Sequence, residues 1–172
     1  MTLRAVALAS GVSHNAPYKH FAGRDALLAA VAQRDFEDLR VACNALRASK
    51  QDPVRKLMKA MRVMVDFSQE HPARYRLLFA NRMIASADGE LKAAAGGAFA
   101  EFRGLVEECQ CAGKLPAVPA ATLTSLLFAT LHGLISMETI GGLHPEKGLR
   151  SIEGSLKVLV ELIVPAKSPG SA

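Results

Sequence analysis

The feature that most constrains the fold is a helical repeat of apolar residues with no competing strand pattern. Leu28, Ala32, Phe36, Leu39, Cys43 and Leu46 recur at steps of four, four, three, four and three. At about 3.6 residues per turn this spacing lines one face of a long helix, whereas in a strand it would fall on both faces. Strict apolar/polar alternation is missing elsewhere, and aromatic residues make up only 5% of the 172. The sequence therefore predicts an all-α protein.

Caps and breakers divide the chain into helices. Residues 2–10 begin at Thr2, a good N-cap, and stop at Gly11, which tolerates a left-handed backbone. A second short helix is expected over 13–21, capped by Ser13, with Pro17 tolerable only near its first turn because proline has no N–H to donate. The long helix follows over 24–49. Pro53 opens the next, with Val54, Leu57, Met58, Met61 and Val65 on its apolar face, and His71-Pro72 closes it. Further helices are expected over 72–83, from about 89 to 113 with Phe99, Phe102, Val106 and Cys109 on one side, over 120–140 and over 146–164. The tail from Pro165 should fray.

Half of the residues are hydrophobic and 22% are charged, enough for an ordered core. The net charge of +5 is modest, but its placement is informative. Arg4, Lys19 and Arg24 are the charged residues before Asp25, with His14 and His20 among them, so the first segment is locally basic and suited to an anionic partner. Cys43, Cys109 and Cys111 are too few for a disulfide framework and fit a reducing cytosol. Two cysteines two apart on a helix point to different sides, so Cys109 and Cys111 form no metal site, and no cofactor is expected. The uncharged stretch from Ala121 to Met137 is broken by Thr122, Thr124, Ser125, Thr130, His132 and Ser136, which favours a buried helix over a membrane span. No phosphate-cradling glycine loop, carboxylate pair, metal-ligand histidine spacing or recognisable nucleophile setting supports an enzyme.

The run Ala9-Ser10-Gly11-Val12-Ser13, then Tyr18-Lys19-His20-Phe21, then Leu27-Leu28, resembles the helix-turn-helix signature of the TetR family of bacterial transcription regulators. The resemblance covers about the first thirty residues. It implies an N-terminal helix-turn-helix with its connecting helix over 1–49, a helical effector-binding and dimerisation domain over 50–165, and a flexible tail over 166–172. Members of the family carry a further helix ahead of this signature, so the sequence is expected to be shortened at its start. The other reading is a dimeric ligand-binding protein impaired in DNA binding. The segment Leu131-His132-Gly133 is similar to the motif of a subgroup named for Trp-His-Gly in its effector domain.

By the resemblance, Thr2 and the helix it starts brace the DNA backbone, and the helix beginning at Ser13 enters the major groove. The residue chemistry fits. His14, Asn15 and Ala16 come first, where Asn15 can pair with adenine N6 and N7 and the Ala16 methyl can touch a thymine methyl; Tyr18, Lys19 and His20 then face phosphates. The expected partners are a palindromic double-stranded operator, a second copy of the chain and a small-molecule effector that releases a repressor from DNA in the cytoplasm.

Met61, Met64, Tyr75, Phe79, Phe102, Phe128 and His132 supply the adaptable apolar surface and polar handle of an effector pocket, though plain core packing would use the same residues. Ser125, Ala129, Gly133 and Met137 form a stripe on one helix, and Ile152, Leu156, Leu159 and Ile163 give the last helix an apolar face. Packing within the chain would produce the same pattern; the resemblance implies a four-helix dimer interface. Arg55, Lys56, Lys59 and Arg62, followed by Arg74, Arg76 and Arg82, read most simply as a solvated basic face.

Overall fold

The computed structural model describes residues 2–164, without the side chains of Met83 and Ala85. The tail expected over 166–172 lies outside the described residues. Helices α1 (Leu3–Ala9), α2 (Arg24–Ala48), α3 (Pro53–Glu70), α4 (Pro72–Ala80), α5 (Arg82–Ala85), α6 (Gly89–Cys111), α7 (Ala120–Thr139) and α8 (Ile152–Ile163) follow in order, with 3-10 turns at Pro17–Lys19 and Pro145–Lys147. The described residues contain no strand, in keeping with the all-α expectation.

Local chemistry sets most of the ends. The Thr2 hydroxyl accepts the Ala5 N–H at 3.2 Å, and Gly11 turns the chain at φ +67°. Asp52 accepts from the N–H groups of Val54 and Arg55 at 3.0 and 3.3 Å, next to Pro53 at the first helical position, where its fixed φ suits a helix start.

Two elements differ from expectation. Residues 13–21 do not form an α-helix: the Ala16 N–H donates to the Ser13 carbonyl at 2.9 Å and the Lys19 N–H to that of Ala16 at 3.2 Å, both i→i+3 bonds. Pro17 explains this, because it lacks the N–H that would donate to Ser13 in an α-helix, and the chain tightens into 3-10 geometry instead. The last helix starts at Ile152, not 146. Gly148 takes the left-handed conformation at φ +77°, and Ser151 then caps the new helix by accepting the Gly154 N–H at 3.1 Å.

Helices α3, α6, α7 and α8 enclose the larger core, built on Leu57, Met61, Leu105, Val106, Leu127, Leu131, Leu156 and Val160. Each large side chain buried there stabilises the fold by roughly 1.5–3 kcal/mol. A second cluster joins α2 and α4 through Ala32, Phe36, Leu39, Leu77 and Leu78. Helix α7 is long and apolar enough to cross a membrane, yet Leu123, Leu127, Leu131, Leu134 and Ile135 bury its inner face in the larger core.

Polar stitching ties α2, α3 and α6 together. Arg47 donates to Glu101 at 2.7 Å and Glu108 at 3.0 Å, while Lys56 Nζ donates to the Arg47 carbonyl at 2.7 Å and to Glu108 at 3.1 Å. Lys56 is buried and so leaves the solvated basic face expected of it. Arg47 crosses so close to α6 that a Cβ on Gly104 would lie 2.5 Å from its Cζ, which accounts for glycine inside that helix.

Candidate functional site: a cavity between α4 and α7

Pro72 starts α4, and Tyr75 and Phe79, four residues apart, share one face of it. Phe128 and His132 stand in the same relation on α7. The four rings meet, with His132 at centroid distances of 4.1 Å from Phe128, 4.5 Å from Phe79 and 5.5 Å from Tyr75. Around them lies a cavity of about 520 Å³ lined by Ser68, Pro72, Tyr75, Arg76, Phe79, Phe128, His132, Ser136 and Thr139, a size that suits a small organic ligand. Phe79 and Phe128 also wall a second void of about 60 Å³, together with Phe36, Met64, Phe102 and Leu131.

The polar pair inside is Tyr75 and His132, whose phenol oxygen and Nδ1 are hydrogen-bonded. The phenol is the better donor and the imidazole lone pair the better acceptor, so Tyr75 donates and the ring proton sits on Nε2. Burial pushes the Tyr75 hydroxyl up to about 12 and His132 down to about 4 from an ordinary 6.5. Both are neutral at physiological pH.

That depression has a measurable consequence. The unfolded chain takes up a proton on His132 near 6.5 and the folded chain near 4, so the unfolded state binds more protons between those values. Stability present above about 6.5 is therefore lost as pH falls towards 4, by up to about 3 kcal/mol. The groups around the imidazole are Tyr75, Phe79 and Phe128, with Arg76 the charged residue on the cavity wall. Urea unfolding should show the wild type losing more stability than His132→Phe between about pH 7 and pH 4.5. Parallel losses would contradict the assignment.

The residues expected in an effector pocket separate into three groups. Tyr75, Phe79, Phe128 and His132 line the outer cavity; Met64 and Phe102 line the inner void. Met61 does neither, because it is fully buried in the core of α3. Ser68, Ser136 and Thr139 also line the outer cavity, residues whose small hydroxyls carry no pattern in the sequence, and so does Arg76, which the sequence places on a solvated basic face.

An ion pair with one buried partner adjoins this cavity. Asp35 of α2 is 1% exposed, and Arg74 of α4 grips it through Nε to Oδ2 at 2.9 Å and through Nη2 to Oδ1. The pair raises the Arg74 pKa. Arg74 precedes Tyr75, so the α4 turn that lines the cavity is fastened to the interior face of α2. Its signal in the sequence is a carboxylate at Asp35 inside the apolar stripe between Ala32 and Phe36. Arg62 is also paired, with Asp66 and Glu153; Arg55 and Lys59 remain exposed.

Of the expected DNA-contacting residues, Ser13, His14, Asn15, Tyr18, Lys19 and His20 are exposed on one loop and 3-10 turn, and Ala16 is half-buried. Thr2 is occupied as the α1 cap. Leu8 and Val12 are exposed beside them.

Of the expected dimer residues, Ser125, Ala129 and Gly133 are exposed, and Met137, Leu159 and Ile163 are half-buried. Ile152 and Leu156 are buried in the chain's own core and have no surface left for a partner; the heptad-like spacing located an apolar face, but it is the inward one. Leu126 of α7, Ile140 at its C-cap, and Val158 and Leu162 of α8 are exposed. Ala129, Ser136 and Ile140 are exposed and also line the cavity.

Residues 57–162 match the family model described as tetracyclin repressor-like, C-terminal domain. Among solved structures, a protein of unknown function from a Rhodococcus species is 26% identical, with a TM-score of 0.77 over 95% of this chain and 82% of that one. A TetR family transcriptional regulator from Thermus thermophilus, PfmR, is 18% identical with a TM-score of 0.69 over 95% and 87% of the two chains. A TetR family transcription regulator from Marinobacter aquaeolei is 16% identical, with a TM-score of 0.68 over 96% and 86%. Among proteins of curated function, none matches the sequence.

Proposed function

The chain belongs to the TetR family, and from that premise we propose that it is a cytoplasmic transcriptional repressor, released from a palindromic operator by a small molecule bound between α4 and α7. The observation that carries this reading is the fastening of the cavity to α2 by Arg74 and Asp35. The reading is of a regulator and assigns no catalytic residue.

Release works through differential affinity, because a ligand that binds both conformations equally shifts nothing. A molecule wedged against Tyr75 and Phe79 displaces α4. Arg74 carries that displacement to Asp35, and α2 carries it about 16 Å along its axis to Arg24, which closely follows segment 13–20 in the chain. Two copies related by a two-fold axis present two such segments, and operator binding needs them about one DNA turn apart, roughly 34 Å. A shift of a few ångströms in each breaks that match.

The outward faces of α7 and α8 pair across the two-fold axis. Because Ala129, Ser136 and Ile140 sit where that face meets the cavity, the partner's helices form part of its outer wall. In this reading Thr2, Ser13 and the set Tyr18, Lys19 and His20 hold phosphates, while His14, Asn15 and Ala16 reach base edges.

Lys19→Ala is expected to weaken binding to all duplexes by a similar factor and to lower the slope of log affinity against log salt by about one unit. Fluorescence anisotropy at several salt concentrations measures it, and an unchanged slope removes Lys19 from the interface. A second reading, a dimeric ligand-binding protein impaired in DNA binding, draws on residues 13–21, where the family's reading helix is expected and the chain forms turns and a single 3-10 turn at Pro17–Lys19. It predicts no salt-dependent retention on any duplex.

A further inference from the structure

His132 has a hydrogen-bonding capacity that the fold leaves unmet. Its Nδ1 takes the Tyr75 hydroxyl, which leaves the proton on Nε2, and that atom is buried with no partner. An unpaired buried donor is destabilising, and an apolar side chain would fill the same space without that cost. The imidazole is therefore not explained by packing.

Phe128 and Phe79 pack against the imidazole at centroid distances of 4.1 and 4.5 Å, and the same two rings line both the outer space of about 520 Å³ and the inner void of about 60 Å³.

The rest of the lining narrows what would enter. It contains no carboxylate, and Arg76 is its one charged side chain. The Ser68 and Thr139 hydroxyls already donate to the carbonyls of Val65 and Ile135. A cation would meet an N–H dipole and a guanidinium with nothing to neutralise it, whereas an aromatic ring finds edge and face contacts on all sides.

Resting on the effector reading above, we propose that this site takes a planar aromatic molecule, uncharged or anionic, whose carbonyl or carboxylate oxygen accepts the Nε2–H of His132 as its ring displaces Phe79 or Phe128. The buried donor acts as a selectivity element: it is costly when the site is empty or filled by a pure hydrocarbon, and it is satisfied only by an acceptor.

The test uses the intact protein with 15N-labelled histidine, titrated near neutral pH with four probes of similar size: benzamide, benzoate, toluene and benzylamine. Benzamide and benzoate are expected to bind at least about tenfold more tightly than toluene and to shift the Nε2 and Nε2–H resonances of His132 saturably. Benzylamine, protonated at that pH, should bind no better than toluene. His132→Phe keeps an aromatic ring without the donor and should bring benzamide down to the toluene level while leaving toluene unchanged. Should that variant misfold, the wild-type resonances decide alone. Toluene or benzylamine binding as tightly as benzamide, or bound benzamide leaving the His132 signals in place, overturns the acceptor assignment while the cavity stands as a ligand site. If none of the four binds, or their shifts fall outside α4 and α7, the effector-cavity reading fails with it.

Discussion

Leu162→Glu is expected to leave each protomer folded and yet to raise the dimer dissociation constant by about a thousandfold or more. In the isolated chain Leu162 is 78% exposed, and a surface substitution of that kind changes stability by no more than about 0.5 kcal/mol. Other large apolar side chains of α7 and α8 are exposed as well: Val158, one turn away, at 53%, and Leu126 of α7 and Ile140 at its C-cap at 61% and 78%. Apolar surface gathered in one place marks a contact with another molecule. A two-fold axis places every interface residue twice, so the substitution would put two carboxylates into apolar surroundings without partners. That penalty is several kcal/mol, and about 4 kcal/mol corresponds to the thousandfold change. Sedimentation velocity over a range of concentrations measures it, with circular dichroism reporting the fold. A variant that remains dimeric at nanomolar concentration would move the interface elsewhere.

Arg74→Ala is expected to destabilise the chain by about 1.5–3 kcal/mol, the cost of removing charge-assisted hydrogen bonds from a buried carboxylate whose guanidinium partner is itself 41% exposed. Asp35 sits 1% exposed on the same helix as the buried Ala32, Phe36 and Leu39, and the substitution removes the guanidinium that holds both of its carboxylate oxygens. Replacing both residues, as Asp35→Leu with Arg74→Met, should recover most of that loss, because a pair of similar volume without charge needs no neutralisation. The double variant separates stability from signalling: it should fold, bind DNA, and fail to release it when a cavity ligand is added. Chemical denaturation of the single and double variants provides the free energies, and operator release provides the coupling. A single variant as stable as wild type would mean that the pair is solvated and fastens nothing.

The parts of the fold that the sequence made legible are those fixed by local rules. Thr2 and Gly11 bound α1 because a hydroxyl cap and a positive-φ glycine act within one turn, and the period from Leu28 to Leu46 marks α2 because a single face must meet the core. Residues 13–21 depart from a helix for an equally local reason: Pro17 removes one hydrogen bond, and a helix of nine residues has few to spare. Helix α8 starts later than the sequence suggests because Pro145 and Glu146 are good helix-opening residues, while Gly148 and Ser151 together make a better boundary.

The candidate site was legible only in its rings. Tyr75, Phe79, Phe128 and His132 stand out in a chain with few aromatics, whereas Met61 has the same adaptable chemistry and is simply core. Periodicity tells which residues share a face and not whether that face meets the chain itself or a partner, which is why Ile152 and Leu156 turned inward and Leu162 outward. Arg74 and Asp35 lie 39 residues apart on different helices, and nothing in the order of residues pairs them.

Whether the proposed dimer reads DNA is decided by selecting duplexes from a random pool with the intact protein and measuring affinity for the enriched sequence at several salt concentrations. A two-fold symmetric site with half-sites one helical turn apart should be enriched and bound far more tightly than random DNA, with log affinity falling linearly as log salt rises. A pool that stays random after repeated rounds, with no duplex retained even at low salt, would contradict it.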